Sequence, residues 1–67
     1  MPIAIINIIE GRSDEKKQAL IDSVSRAIAQ SLDAPLESVR VLVQEYPDHL
    51  WAAGGETIRD RRSKASQ

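Results

Sequence analysis

Pro2 has the most direct route to chemistry in this chain. Methionine aminopeptidase removes an initiating methionine when the next residue is small, and loss of Met1 would expose the secondary amine of a proline. An ordinary α-amino group titrates near about 7.7 to 8.0. A prolyl amine is intrinsically more basic, and burial or neighbouring cations lower it toward neutrality. An amine tuned in that way takes up and returns protons at working pH. Proline after Met1 is too common to carry the inference alone, so its companions matter. Arg40 sits in an apolar run of Val39, Val41, Leu42 and Val43. A charge there requires a partner or a cleft. Either it pairs with Glu10 or Glu45, or its fork receives a carboxylate ligand. Arg12 follows Gly11 in a turn and by itself reads as a solvated charge. Trp51, the single Trp, reads either as a plug for an oligomer core or as a wall that keeps a buried amine dry and neutral.

The remaining candidates read as structural. His49 is the only histidine, and no acid–base partner is evident for it, so it is assigned to the surface. With no cysteine there is no thiolate site, and one histidine has no second imidazole to share a metal, so no metal is expected. Arg59, Arg61, Arg62 and Lys64 form a short basic cluster without interleaved aromatics, which reads as a solvated tail rather than a nucleic-acid site.

The elements that must position these residues follow from patterning. Residues 3–9, Ile-Ala-Ile-Ile-Asn-Ile-Ile, are rich in β-branched side chains and read as a strand covered on both faces. Ser13 is a good N-cap, and Asp14 and Glu15 place negative charge in the first turn of a helix. Leu20, Val24, Ala27, Ile28 and Ser31 give that helix an apolar stripe to about Leu32, with Lys16, Lys17, Asp22, Arg26 and Gln30 opposite. Pro35 disfavours a helical Ala34 and ends it. Ser38 to Glu45 alternates as a second strand, with Val39, Val41 and Val43 on one face. Strand, helix and strand of these lengths make a right-handed βαβ unit with parallel strands. Tyr46 to Gly55 is a loop closing a short hairpin, and 59–67 is expected to be a frayed polar tail.

Size then bears on assembly. Sixty-seven residues form one domain, 1–67, and such a domain buries only about 60% of its unfolded surface. Without disulfides or a metal, oligomerisation is the remaining remedy. Open sheet edges point the same way, to a symmetric oligomer. A net charge of -1 argues against general nucleic-acid binding. No apolar run approaches the roughly 20 residues of a membrane span, and no basic n-region marks a secretory signal, so a cytoplasmic location is expected.

Taken in order, Pro2-Ile3-Ala4, Glu10-Gly11-Arg12-Ser13, Ser31-Leu32-Asp33-Ala34-Pro35, Ser38-Val39-Arg40-Val41 and Gly54-Gly55-Glu56 resemble the 4-oxalocrotonate tautomerase family. The match runs from Pro2 to about Glu56. The resemblance implies an α+β fold, a βαβ unit with a C-terminal hairpin. It implies that two subunits join sheets into four strands and that three dimers form a hexamer, here a homohexamer. It implies that Pro2 is the general base and that Arg12 and Arg40, from neighbouring subunits, bind substrate. It places Trp51 where the family usually has phenylalanine, and it offers the Ile9 backbone amide as a further substrate contact. Ala52-Ala53 replaces a more usual Gly-Ile pair.

The implied substrates are 2-hydroxy-dienoates and 2-oxo-enoates such as 2-hydroxymuconate, from aromatic-compound breakdown. No cofactor is expected, because a conjugated substrate delocalises its own charge. Two alternatives stand beside this reading. One is hydration or dehalogenation of a halo-acrylate, for which a carboxylate must activate water; relatives with that chemistry carry it where this chain has Ala53, although Asp48 and Glu56 are near in sequence. The other is a catalytically silent, fold-only subunit that retains Met1.

Overall fold

The structure is a computed structural model and describes residues 1–65. Strand β1, Ile3–Ile9, is followed by helix α1, Asp14–Leu32, and strand β2, Arg40–Tyr46. A two-residue hairpin, β3 Ala52–Ala53 and β4 Glu56–Thr57, leads into helix α2, Ile58–Ala65. β1 and β2 are parallel, in register from Ile3 opposite Arg40 to Ile9 opposite Tyr46. The expected βαβ unit and hairpin are therefore present.

Local chemistry sets the boundaries. Ser13 Oγ accepts from the Lys16 amide at 3.3 Å, capping α1. At the other end Asp33 adopts a left-handed conformation with φ 52°. The Asp33 and Ala34 amides bond back to the Gln30 and Ala29 carbonyls, a Schellman closure that ends the helix ahead of Pro35. The second strand begins later than the alternation suggests. Leu36–Ser38 forms a single 3₁₀ turn instead. Both the amide and the hydroxyl of Ser38 donate to the Pro35 carbonyl, at 3.0 and 2.7 Å, and this local bonding competes with the ladder. In the hairpin, Gly54 and Gly55 have φ of 61° and 83°, the two positive values that a type I′ turn requires.

The packed face of α1 is rotated from the expected stripe. Leu20, Ile21, Val24 and Ile28 turn toward the sheet with Lys17 and Ala29, while Ala27 and Ser31 are exposed. Lys17 moves to the packed side because its long stem carries the ammonium to Glu45 on β2, at 3.0 Å. Its hydrogen bonds to Glu45 and then Asp14 raise its pKa above the ordinary lysine value.

Residues 59–65 are polar as expected but helical, which corrects the expectation of fraying. Thr57 Oγ1 accepts from the Asp60 amide at 3.2 Å and caps the helix, and its basic side chains pair with carboxylates upstream. Residues 66 and 67 lie outside the described residues.

One chain encloses almost no core. Val39, 9% exposed, is the one buried apolar residue among those described. The radius of gyration is 15.6 Å, whereas a compact chain of this length has about 11 Å. α1 covers one face of the β1–β2 sheet. On the other face Ile3, Ile5 and Leu42 remain 63%, 64% and 52% exposed.

Candidate active site

The two strands carry candidate residues at both ends. At the first end, the Arg40 amide donates to the Pro2 carbonyl at 2.9 Å. The sheet thus holds Pro2 through its carbonyl and leaves its nitrogen outside the ladder. Met1 precedes the strand and is 86% exposed. The Arg40 side chain lies on the helix-free face and is exposed. Its Nη1 donates to the Glu37 carbonyl at 2.7 Å. The pairing with Glu10 or Glu45 weighed from sequence does not occur; Glu45 is taken by Lys17. A guanidinium has five N–H donors and this bond uses one, which leaves the exposed Arg40 side chain donors to offer an anion.

At the second end lie Ile9, Arg12 and Trp51. Arg12 Nη1 donates to the Ile9 carbonyl at 3.2 Å, which folds the exposed guanidinium back over the strand end. The Glu10 amide donates to the Tyr46 carbonyl at 2.9 Å. With the Pro2–Arg40 bond at the opposite end, this fixes the parity of the parallel ladder. Even-numbered residues of β1 bond to β2, and odd-numbered ones present their amides to the open edge. The Ile9 amide is therefore an outward donor. Trp51 is half-buried against Tyr46, ring centroids 5.9 Å apart and edge to face at 68°. The Tyr46 hydroxyl donates to Asn7 Oδ1 at 3.2 Å. Asn7, Tyr46, Leu50, Trp51 and Ala52 line an open depression of about 280 Å³. Asn7 and Tyr46 were not singled out from sequence. Their pairing depends on the strand register, which no spacing within either strand displays.

These two groups do not meet within one chain. Seven residues of strand separate them, on the order of 20 Å. Pro2 and Arg40 share one end of the sheet, and Ile9, Arg12 and Trp51 share the other. Both strands run the same way, so a second sheet added antiparallel by a two-fold axis would set one chain's Pro2 end beside its neighbour's Arg12 end.

The carboxylates near the hairpin are committed. Asp48 receives Arg59 at 3.2 Å and Arg62 at 3.6 Å. Glu56 receives Arg61 at 2.9 Å and also Lys64. The Lys64 hydrogen bond, with that of Arg61, holds the Glu56 carboxyl below its ordinary value. His49 is exposed as expected, and its Nδ1 lies 3.0 Å from Arg59 Nη2. Among the described residues no group of acidic and imidazole side chains could hold a metal ion.

Residues 2–61 match the model of a family described as "Tautomerase enzyme". The chain is 58% identical over 59 residues to the 2-hydroxymuconate tautomerase of Stutzerimonas stutzeri, covering 88% of this chain and 94% of that one. It is 61% identical over 56 residues to the 2-hydroxymuconate tautomerase of Pseudomonas sp. strain CF600, covering 84% and 89%. Among solved structures it superposes on a heterohexameric 4-oxalocrotonate tautomerase from Chloroflexus aurantiacus J-10-fl with a TM-score of 0.87. That match is 38% identical and covers 90% of this chain and 97% of that one.

Proposed function

The chain belongs to the tautomerase family, and from that premise we propose that it ketonises 2-hydroxymuconate or a closely related 2-hydroxy-dienoate, with the amine of Pro2 as general base. The observation that carries this reading is the way the sheet holds Pro2. Its carbonyl is bonded and its nitrogen is not, so removal of exposed Met1 frees an amine at a fixed position without costing the ladder a bond.

The chemistry follows from the residues. The Pro2 amine takes the proton of the 2-hydroxyl, and the electron pair moves through the conjugated system toward a distal carbon. Protonated Pro2 returns the proton there, a net 1,3- or 1,5-shift that leaves the ketone. Arg12 and Arg40, reaching in from neighbouring subunits, bind the carboxylates and the developing enolate charge. The outward amide of Ile9 adds a donor at the open edge. Trp51 closes the site with an apolar wall, which excludes water and disfavours the charged form of the amine.

This arrangement needs copies of the chain. Pairing of sheets into four strands and assembly of three such dimers into a homohexamer would bring the separated ends together and cover Ile3, Ile5 and Leu42. A cytoplasmic location belongs to the same proposal; no helix among the described residues is long and apolar enough to cross a membrane. Hydration or dehalogenation is disfavoured because Asp48 and Glu56 are occupied by ion pairs and Ala53 has no carboxylate.

The test is to block the amine. Acylation by a 3-bromopropiolate-type reagent, or one extra residue ahead of Pro2, should abolish ketonisation of 2-hydroxymuconate while sedimentation shows the assembly intact. Full activity in the blocked protein would remove Pro2 from the mechanism.

A further inference from the structure

Resting on the tautomerase reading above, we propose that α2 is a latch that sets the position of Trp51, and that Asp48 is the positioning residue on which it closes. The segment carrying Trp51 is held by α2 or its first residue at four points. The Ile58 amide donates to the Trp51 carbonyl at 2.8 Å. Upstream, Arg59 and Arg62 both reach Asp48 in the turn that leads to Trp51. Downstream, Arg61 Nη2 reaches the Ala53 carbonyl at 3.5 Å, and Arg61 and Lys64 share Glu56. The indole itself packs edge to face with Tyr46, which is anchored to Asn7. The backbone of Trp51 is thus fixed from the side of α2 and its ring from the side of the sheet.

Exposed ion pairs are weak singly, but here two carboxylates each hold two cations, which ties one helix to both flanks of one residue. The family match ends at residue 61, so Arg62 and Lys64, the second cation on each carboxylate, lie beyond it. The latch is completed by residues outside the shared pattern. It acts on the pocket wall rather than on the reacting atoms, so it governs how well substrate is held and, through the dryness of the wall, the pH at which the Pro2 amine loses its proton.

The single Trp makes the inference directly readable, because all indole fluorescence reports Trp51. Assembled full-length protein is compared with Asp48→Asn, Asp48→Glu and Arg59→Gln. In Asp48→Asn and Arg59→Gln, assayed at a pH where Pro2 is deprotonated, KM for 2-hydroxymuconate should rise roughly three- to ten-fold with kcat within about two-fold, because the displaced wall then weakens binding alone. The Trp51 emission should shift to the red and become more accessible to acrylamide. Asp48→Glu should restore both. Raising NaCl to about 1 M, where the screening length falls to about 3 Å, should shift the wild-type Trp51 emission toward that of the variants and shift the variants less, since they have already lost the Asp48 pairs. If Asp48→Asn fails to assemble, Arg59→Gln carries the comparison. Variants that keep the wild-type KM and Trp51 spectrum overturn the latch, as does a loss of kcat with an unmoved spectrum. A wild type that turns over no 2-hydroxymuconate refutes the tautomerase reading instead, and the fluorescence comparison still decides the latch.

Discussion

Replacing Ile5 with aspartate probes whether the helix-free face of the sheet is an assembly surface. Ile5 is 64% exposed in the single chain, beside Leu42 in the register and Ile3 on the same strand. Full burial of such a side chain contributes about 1.5–3 kcal/mol, so covering what remains open on these three is worth about 3–5 kcal/mol per subunit. Typical stabilities of about 0.05–0.15 kcal/mol per residue give a chain this long only about 3–10 kcal/mol in total. The face is therefore comparable with the whole stability. Ile5→Asp removes about 1–2 kcal/mol of that burial and adds an unpaired carboxylate whose desolvation costs several kcal/mol more. Sedimentation at micromolar concentration should show loss of the assembly, and circular dichroism should show loss of helix in the same samples. Ile5→Val, costing about 0.5–1.5 kcal/mol, should remain assembled. An Ile5→Asp protein that keeps the wild-type size, or that persists as a folded monomer, refutes the reasoning.

The arginines and the latch give further predictions. Arg40→Ala and Arg12→Ala should each lower kcat/KM on a dicarboxylate enol by roughly ten- to a hundred-fold, the loss of a charge-assisted contact of about 1.5–3 kcal/mol. Arg12→Ala should cost much less on a monocarboxylate such as phenylenolpyruvate; steady-state kinetics showing an equal loss on both would reject its role at the distal carboxylate. The Glu56 carboxyl is held below its ordinary value first by Lys64, so its ionised form is the one that stabilises the fold. That contribution is present above the unfolded value and disappears as pH falls through the lowered folded one. Trp51 emission should therefore hold steady from neutral pH into the ordinary carboxylate range and shift only below it. Glu56→Gln should lose that acid transition, and an unaltered transition in this variant would count against the assignment.

Most of what the sequence made legible was periodic. The β1 run, the Ser13 cap, the helix end near Leu32 and the alternation around Arg40 are each written in neighbouring residues, and each appears in the structure. The failures arose where a partner outside the periodic pattern decided the outcome. Lys17 looked solvent-facing until the strand placed Glu45 opposite it. Ser38 looked like strand until the Pro35 carbonyl captured its amide and hydroxyl. The tail looked polar and loose because Asp48 and Glu56, its partners, lie 11 and 5 residues before Arg59 and Arg61. Even so, Thr57 three residues ahead of Asp60 is a capping pattern that marked the start of α2. Of the site, the residue types were legible, but their division between the two ends of β1 was not, since that follows from the length and direction of the strands.

That division has a genetic meaning. With the roles proposed above, each chain donates a base to one site and Arg12 to another, so no polypeptide owns a whole site. A subunit lacking Pro2 and a subunit lacking Arg12 are then both inactive alone, yet restore one working site wherever they pair. After gene duplication, each copy is free to discard the half that its sister keeps. An obligate mixed assembly can emerge through losses alone, with no new residue invented.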